Sequence, residues 1–347
     1  MEPFIITGDL QVKAWQQFSY IRKDGMNSRL YYCLKVFDII LKTAKEQGIK
    51  RVLLNGDIFE DNSWIEVETY TTVYRKLEML HDAGLEVVIN IGNHDVYAEL
   101  AGRTLHNVTP FNRLAHIVEE PEQVWPGVWC IPWMANPEGL KAAIANVRVP
   151  ESPSILVLHC GVQGAVTGPK AYLVRNPIKL RDIRAEEFTH VLLSDYHTRQ
   201  KLASNVRYLG SPMQHTFGEV HKPCIWIVSD AGAEKVYTHL PQFHRIQVQS
   251  IEDLRDKTKG YEHDYFSIQI PEKGPLRSST VEEVARSVGF RFNIDIRGAD
   301  DADPVPTGTL AFSVHRAIRR FVKQSNLGTQ ARRRLLSLGL KLYRGKV

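Results

Sequence analysis

Residues 86–95 read EVVINIGNHD, an apolar run that ends in the turn Gly-Asn-His-Asp. The apolar part shows little polar alternation, as expected of a strand that is buried on both faces of a sheet. The turn places Asn93, His94 and Asp95 directly after the strand, and these side-chain types bind hard or borderline cations. The stretch therefore predicts a buried strand whose carboxyl end carries metal chemistry.

Four further apolar runs repeat this design within the first two hundred residues. They lie at 3–7, 51–54, 154–158 and 190–193. Segments 28–48 and 66–84, which separate the first three runs in the chain, have apolar residues at helical spacing. Strands that alternate with helices predict an α/β layered fold with a largely parallel sheet.

Each of these four runs is also followed by Asp, Asn or His. The residues that follow them are Gly8-Asp9-Leu10-Gln11, Asn55-Gly56-Asp57, His159-Cys160-Gly161 and Ser194-Asp195-Tyr196-His197. A single Asp after a strand is usually a turn or cap residue. Five strand ends in succession favour a functional site instead, because ligands bind outside the carboxyl ends of strands in open α/β sheets.

The motifs resemble those of the calcineurin-like metallophosphoesterases, and Gly-Asn-His-Asp at 92–95 is the most specific of them. Within that superfamily, YLGSP at 208–212 and TFGE at 216–219 resemble the SbcD-type DNA repair exonucleases, the nuclease subunit that works with a coiled-coil ATPase. The resemblance covers about residues 4–230. It implies an α/β fold of mixed β-sheets flanked by helices, with a small α+β capping domain and a C-terminal helical segment.

The resemblance implies two divalent cations that share one carboxylate. One cation would be held by Asp9, Gln11, Asp57 and His197. The other would be held by Asp57, Asn93, His159 and Asp195. A bridging Asp57 offsets the repulsion between cations that lie about 4 Å apart. The implied metal is Mn²⁺, with Mg²⁺ as the alternative.

The resemblance gives the other two residues of the Gly-Asn-His-Asp turn catalytic roles. His94 would face the scissile phosphate, where it stabilises developing charge or protonates the leaving oxygen. Asp95 would orient the His94 imidazole.

Two positions depart from the family's pattern. Gln11 stands where the family usually has His, and Ser194-Asp195 stands where it has Gly-His. Both replacements offer oxygen, and the formal ligand charge changes from −2 to −3. An oxygen-rich, anionic site favours manganese or magnesium over zinc. We expect tighter binding at Asp195 and weaker binding at Gln11; a Gln11 side chain that faces away would instead remove the first metal.

The implied function is metal-dependent hydrolysis of phosphodiester bonds in DNA by an exo/endonuclease of repair, recombination or replication. One alternative is a phosphatase or phosphodiesterase of the same superfamily. The other is a DNA-binding scaffold with weakened catalysis, which the exchanges at Gln11 and Asp195 suggest.

The chain divides by composition into four predicted segments. They are a nuclease domain at 1–240, a small capping domain at 241–300, a linker at 301–308 and a basic helical segment at 309–347. From residue 308 onward the chain carries ten Lys and Arg and no acidic residue, so this part has a charge of +10 and the remainder −5. Such a segment fits docking on an SbcC-type coiled-coil ATPase, contact with DNA phosphates, or folding back on the acidic body.

The composition of the whole chain is typical of a soluble globular protein, with 43% hydrophobic and 24% charged residues. The four cysteines form no CxxC pair, which favours buried thiols in a reducing compartment. Without a membrane-length apolar run or a secretory signal, we expect the cytoplasm of a bacterial or virus-infected cell. Homodimerisation is implied by the resemblance, with the helix around 64–80 as a candidate contact.

Overall fold

In a computed structural model of the protein, all five apolar runs form strands, and each strand ends within one residue of its predicted end. The structure describes residues 1–100, 103–149, 153–167, 172–173, 177–271, 276–288 and 291–297. The predicted linker at 301–308 and the basic segment at 309–347 lie outside these described residues.

The described residues form nineteen strands, five α-helices and three short 3₁₀ helices. The strands are β1 (Phe4–Thr7), β2 (Arg51–Asn55), β3 (Glu86–Asn90), β4 (Val96–Leu100), β5 (Arg103–His106), β6 (His116–Val118), β7 (Glu122–Trp125), β8 (Val128–Ile131), β9 (Ile155–His159), β10 (Val166–Thr167), β11 (Tyr172–Leu173), β12 (His190–Ser194), β13 (Gln200–Lys201), β14 (Val206–Tyr208), β15 (Cys224–Ser229), β16 (Gly232–Tyr237), β17 (Phe243–Gln247), β18 (Tyr265–Pro271) and β19 (Arg291–Arg297). The α-helices are α1 (Ser28–Gln47), α2 (Val67–Asp82), α3 (Pro137–Asn146), α4 (Ile251–Thr258) and α5 (Ser278–Val288). Short 3₁₀ helices lie at Thr109–Phe111, Leu180–Ile183 and Ala185–Glu187.

Two six-stranded sheets carry the fold. The first has the order β16-β15-β1-β2-β3-β6, and the second has the order β13-β14-β12-β9-β8-β7. Both are mixed: β1, β2, β3 and β6 run parallel while β15 is antiparallel to β1, and in the second sheet β8, β9, β12 and β14 run parallel. Mixed sheets flanked by helices are therefore confirmed. The five runs divide between the two sheets, and in each sheet three of the five strand pairs are parallel.

Alternate residues of the central strands face different apolar layers. Ile6 of β1 and Val157 of β9 belong to a core between the sheets, whereas Ile5 and Leu158 belong to two outer cores. The outer core of the first sheet includes α1 and α2, and that of the second includes α3. Burial on both faces explains why these strands read as continuous apolar runs.

Local sequence signals place α1 next to the first sheet. The side chain of Asn27 accepts hydrogen bonds from the backbone N–H groups of Arg29 and Leu30, which caps the helix start. Gly48 ends the helix in the left-handed conformation, with a φ of 66°. No described helix is long and apolar enough to cross a membrane.

A third sheet follows in the chain, with the order β17-β18-β19. Its strand β18 and helices α4 and α5 share an apolar cluster that includes Leu254, Phe266 and Val281. Strands and helices of these types were expected for the small α+β capping domain, whose boundary at residue 241 stays a prediction.

Candidate metal centre

Glycines allow the carboxyl ends of β2, β3 and β9 to approach one another. A Cβ atom at Gly56, where φ is 80°, would overlap the His159 ring and the backbone of Gly92. A Cβ atom at Gly92 would overlap the carboxylate of Asp57. Close approach therefore requires glycine at both positions, and at Gly56 the positive φ favours it as well.

Three predicted ligands from both sheets meet at this point. Asp9, Asp57 and His159 each offer a ligand atom, and these atoms all lie within 4.8 Å of one another. All three residues are at most 1% exposed. The Oδ1 atom of Asn93 lies 3.1 Å from Nε2 of His159, so a fourth predicted ligand joins the same cluster.

The ring of His159 is oriented by the backbone of β2. Its Nδ1 lies 2.8 Å from the carbonyl oxygen of Asn55, which accepts the ring proton and leaves Nε2 for other contacts. Nε2 lies 3.4 Å from Oδ1 of Asp57. Burial lowers the pKa of His159, but the carboxylates of Asp57 and Asp9 outweigh it and raise the pKa to about 10. The carboxylates thus create a field that favours a cation.

The donor atoms fit a divalent cation. Oδ1 of Asp9 accepts a hydrogen bond of 3.1 Å from the backbone N–H of Asp195, whereas Oδ2 is buried and no described residue donates a hydrogen bond to it. Burial raises the pKa of Asp9 to about 6. Burial acts in the same direction on Asp57, but the neighbouring His159 outweighs it, and the pKa of Asp57 is lowered. A bound cation would satisfy the unpaired oxygen and stabilise both carboxylates in their charged form.

Asp195, His197 and Gln11 border Asp9 but do not belong to the closest group of ligand atoms. Asp195 and His197 line a cavity of about 200 Å³ next to the cluster, together with Thr216. The backbone N–H of Gln11 donates to the carbonyl of Asp57 over 2.9 Å. The Gln11 side chain is 3% exposed and has no hydrogen-bond partner among the described residues. Metal binding by these three side chains stays a prediction.

The backbone and ring of His94 contact two other residues of the site. Its N–H donates to Oδ1 of Asp57 over 2.9 Å. Its ring Nδ1 contacts the backbone carbonyl of Glu60, which orients the imidazole and leaves Nε2 for a substrate.

The hydrogen bonds of the Asp95 carboxylate within the described residues do not involve the predicted partner, the His94 ring, and that orienting role stays a prediction. The Asp95 carboxylate, which is fully buried, instead accepts hydrogen bonds from the backbone N–H groups of Asp57, Ile58 and Gly92 over 2.8, 2.9 and 2.9 Å. Burial raises the pKa of Asp95 to about 7, while these N–H groups favour the charged form. Asp95 therefore fixes the two turns that carry Asp57 and Gly92.

Glu219 contacts a residue of the site, a role that was not predicted from the sequence. Its Oε1 lies 3.3 Å from Nδ1 of His197, and its Oε2 accepts a hydrogen bond of 2.7 Å from Ser211. Burial raises the pKa of Glu219, but the hydrogen bond with His197 and the nearby histidines lower it to about 2. A charged Glu219 thus orients His197. The TFGE segment at 216–219 was the available signal.

A buried amide network joins the two sheets directly beneath the cluster. The side chain of Asn55 donates to the carbonyl of Leu158 and to the hydroxyl of Ser194, both over 3.0 Å. It accepts a hydrogen bond of 2.8 Å from Asn90. The only signal in the sequence was a polar residue at the end of each apolar run.

The layered sheets with this acidic and imidazole cluster define a metallophosphoesterase. The sequence profile of the family described as calcineurin-like phosphoesterase matches residues 2–215. The chain therefore belongs to the calcineurin-like phosphoesterase family, whose members are hydrolases that depend on two metals.

A curated relative is the exonuclease subunit 1 of Enterobacteria phage T4. It is 25% identical over 205 residues, which cover 56% of this chain and 57% of the relative. The match thus spans less than two thirds of that protein's length.

Several solved structures are similar at low sequence identity. The phosphoesterase Yfce from E. coli has a TM-score of 0.33 and 11% identity, and the match covers 68% of this chain and 93% of that chain. A dimetal phosphatase from Danio rerio has a TM-score of 0.34 and 9% identity, with 68% of this chain and 98% of that chain covered. The nuclease MPE from Pseudomonas putida has a TM-score of 0.31 and 13% identity, with 67% of this chain and 87% of that chain covered.

Proposed function

We propose that the protein is a metal-dependent DNA exo/endonuclease of the SbcD type. The observation that carries phosphoester hydrolysis is the cluster of Asp9, Asp57 and His159, with Asn93 beside it. Nuclease activity is supported by the similarity to the T4 exonuclease subunit, and DNA as the substrate is part of the proposal.

The two proposed metal sites share Asp57. Asp9, Gln11, Asp57 and His197 would hold one cation, and Asp57, Asn93, His159 and Asp195 the other. When bound, a pair of divalent cations lowers the pKa of water and offsets the charge that develops on the phosphate. The oxygen-rich donor set supports Mn²⁺, or Mg²⁺, over zinc.

The chain's own residues would orient the substrate and move a proton. The Glu60 carbonyl holds Nδ1 of His94, so Nε2 can donate to the leaving oxygen of the scissile bond. Asp95 holds the backbone of Asp57 and Gly92 in place during this step. The cavity lined by Asp195, His197 and Thr216 offers room for the substrate next to the cluster.

We propose an SbcC-type coiled-coil ATPase as the partner, a homodimer as the assembly and the cytoplasm as the location. The word subunit in the name of the T4 relative and the +10 charge from residue 308 onward support a protein partner. A role in DNA repair, recombination or replication would follow from that assembly.

A cleavage assay tests the proposed activity. Labelled linear DNA and p-nitrophenyl phosphate esters are incubated with Mn²⁺, Mg²⁺ or EDTA. We expect release of nucleotides with Mn²⁺, no cleavage by Asp57→Ala, and a rate about 10²–10⁴-fold lower for His94→Ala, which loses the proton donor. Asp82→Ala and His81→Ala are matched controls, because those side chains are 72% and 52% exposed.

Each alternative function has its own outcome in this assay. Hydrolysis of the p-nitrophenyl esters without DNA cleavage would identify a phosphatase or small-molecule phosphodiesterase. Binding of DNA without cleavage in any metal, even with the ATPase present, would reject the nuclease and favour a scaffold.

A further inference from the structure

Arg29 is a buried cation without a carboxylate partner among the described residues. The residue is 1% exposed and lies in the first turn of α1. Its Nη2 donates to the carbonyl of His215 over 2.9 Å, and Nη1 donates to that of Gln17 over 3.4 Å. Its Nε finds no acceptor in the part of the chain that the structure describes. Because buried charges are normally paired, the other neighbours of this guanidinium must stabilise it.

Three aromatic rings surround the Arg29 guanidinium. Its Cζ lies 5.0 Å from the ring centroid of Trp15, 5.1 Å from that of Phe243 and 5.5 Å from that of Tyr265. A cation over aromatic faces is attracted by their electrons, and most strongly where water is excluded. Phe243 and Tyr265 belong to β17 and β18, so the three-stranded sheet supplies two of the three rings.

A single residue, His215, connects the Arg29 guanidinium to the metal centre. His215, whose carbonyl accepts from Arg29, directs its ring Nε2 at the carbonyl of Asp9 over 3.2 Å. The backbone N–H of His215 donates to Glu219 over 3.2 Å, and Glu219 contacts His197. The backbone carbonyl of His215 is thus bound by Arg29. The ring and the backbone N–H of His215 contact Asp9 and Glu219.

We propose that Arg29 is a positioning residue of the metal centre. Through Arg29 and His215, the placement of Asp9 and His197 depends on the aromatic rings of β17 and β18. The inference rests on the proposed function only in requiring that the cluster binds metal. It does not require DNA as the substrate. Its consequence is that a side chain of the third sheet, such as Phe243, controls metal affinity without being a ligand.

Calorimetric titration of the full chain with Mn²⁺ tests this dependence. We expect Arg29→Met to weaken binding about 10-fold or more, as loss of a residue that orients a ligand does. Arg29→Lys, which keeps the charge, should lose less, and Phe243→Leu should also weaken binding. Leu140→Ala is the control, because Leu140 is 3% exposed in α3 and its truncation lowers stability elsewhere.

A second measurement without metal separates this proposal from the proposed function. The ring ¹H–¹⁵N signals of His197 and His215, assigned by His→Gln substitutions, should shift in Arg29→Met and stay in place in Leu140→Ala. Unchanged Mn²⁺ affinity and unchanged ring signals, at a Tm loss equal to that of the control, would overturn the proposal. If the wild-type chain binds neither Mn²⁺ nor Mg²⁺, the proposed function fails, and the ring signals alone decide whether Arg29 positions the two histidines. If Arg29→Met does not fold, Arg29→Lys and Phe243→Leu carry both measurements.

Discussion

Four proposed metal ligands have a backbone conformation that non-glycine residues rarely adopt. Asp9, Gln11, Asp57 and Asp195 have φ values of 54°, 43°, 55° and 108°. Each such residue costs about 1–3 kcal/mol and persists only where surrounding contacts enforce it. The N–H of Asp9 donates to Gly56 and that of Gln11 donates to Asp57, so the two turns hold each other. The concentration of strain at these strand ends supports a functional role for them.

Asp95→Asn tests how much Asp95 stabilises these turns. An amide has a single acceptor oxygen, and its N–H₂ group would face the backbone N–H groups of Asp57, Ile58 or Gly92. We expect the free energy of unfolding to fall by about 1–3 kcal/mol, measured by urea denaturation. Asp82→Asn on the surface should change it by less than about 0.5 kcal/mol. A variant with wild-type stability but slower cleavage would favour the predicted role, in which Asp95 orients the His94 ring.

At the scale of elements, the strands were predictable from sequence and their division into sheets was not. Burial on both faces gives β1, β2, β3, β9 and β12 the same apolar pattern, whichever sheet they join. The division depends on which apolar faces pack against each other between the sheets, and the pattern of one strand does not contain this information. The mixed-sheet fold with flanking helices came from the motif resemblance instead.

The candidate site shows the same limit. Asp9, Asp57, Asn93 and His159 were predictable because strand-end position and residue type suffice to bring them together. The role of Glu219 was not, because it depends on a loop that returns to His197, 22 residues earlier in the chain.

A double-mutant cycle tests the network that joins the ends of β2, β9 and β12. Asn55→Ala leaves the carbonyl of Leu158 and the hydroxyl of Ser194 without their shared donor, so we expect a loss of about 1–3 kcal/mol in unfolding free energy. Combined with Ser194→Ala, the losses should be non-additive by about 0.5 kcal/mol or more. Asn55→Ala with Ser229→Ala at the end of β15 is the additive control. Additivity of the first pair would show that the side chains act independently.

At the scale of the whole molecule, the strands of the two large sheets contribute residues to three apolar cores. Ile155 and Val157 of β9 face the core between the sheets, and Leu156 and Leu158 face the outer core of the second sheet. Strand β1 has the same arrangement on the other side. Because one strand cannot lose one face and keep the other, we expect the three cores to unfold together.

The four cysteines report on all three cores. Cys33 lies in the outer core of the first sheet, Cys160 in that of the second, and Cys130 and Cys224 lie between the sheets. All four are free and buried, as predicted, and burial raises the pKa of Cys33 to about 11. Since the thiolate is the reactive form, the native thiols should resist alkylation by iodoacetamide. In short labelling pulses at increasing guanidinium concentration, read by peptide mass spectrometry, all four should become reactive at one midpoint. Labelling of Cys160 at a lower guanidinium midpoint than Cys33 would show instead that the second sheet opens separately. The fully unfolded chain is the control that gives the maximum extent of labelling at each cysteine.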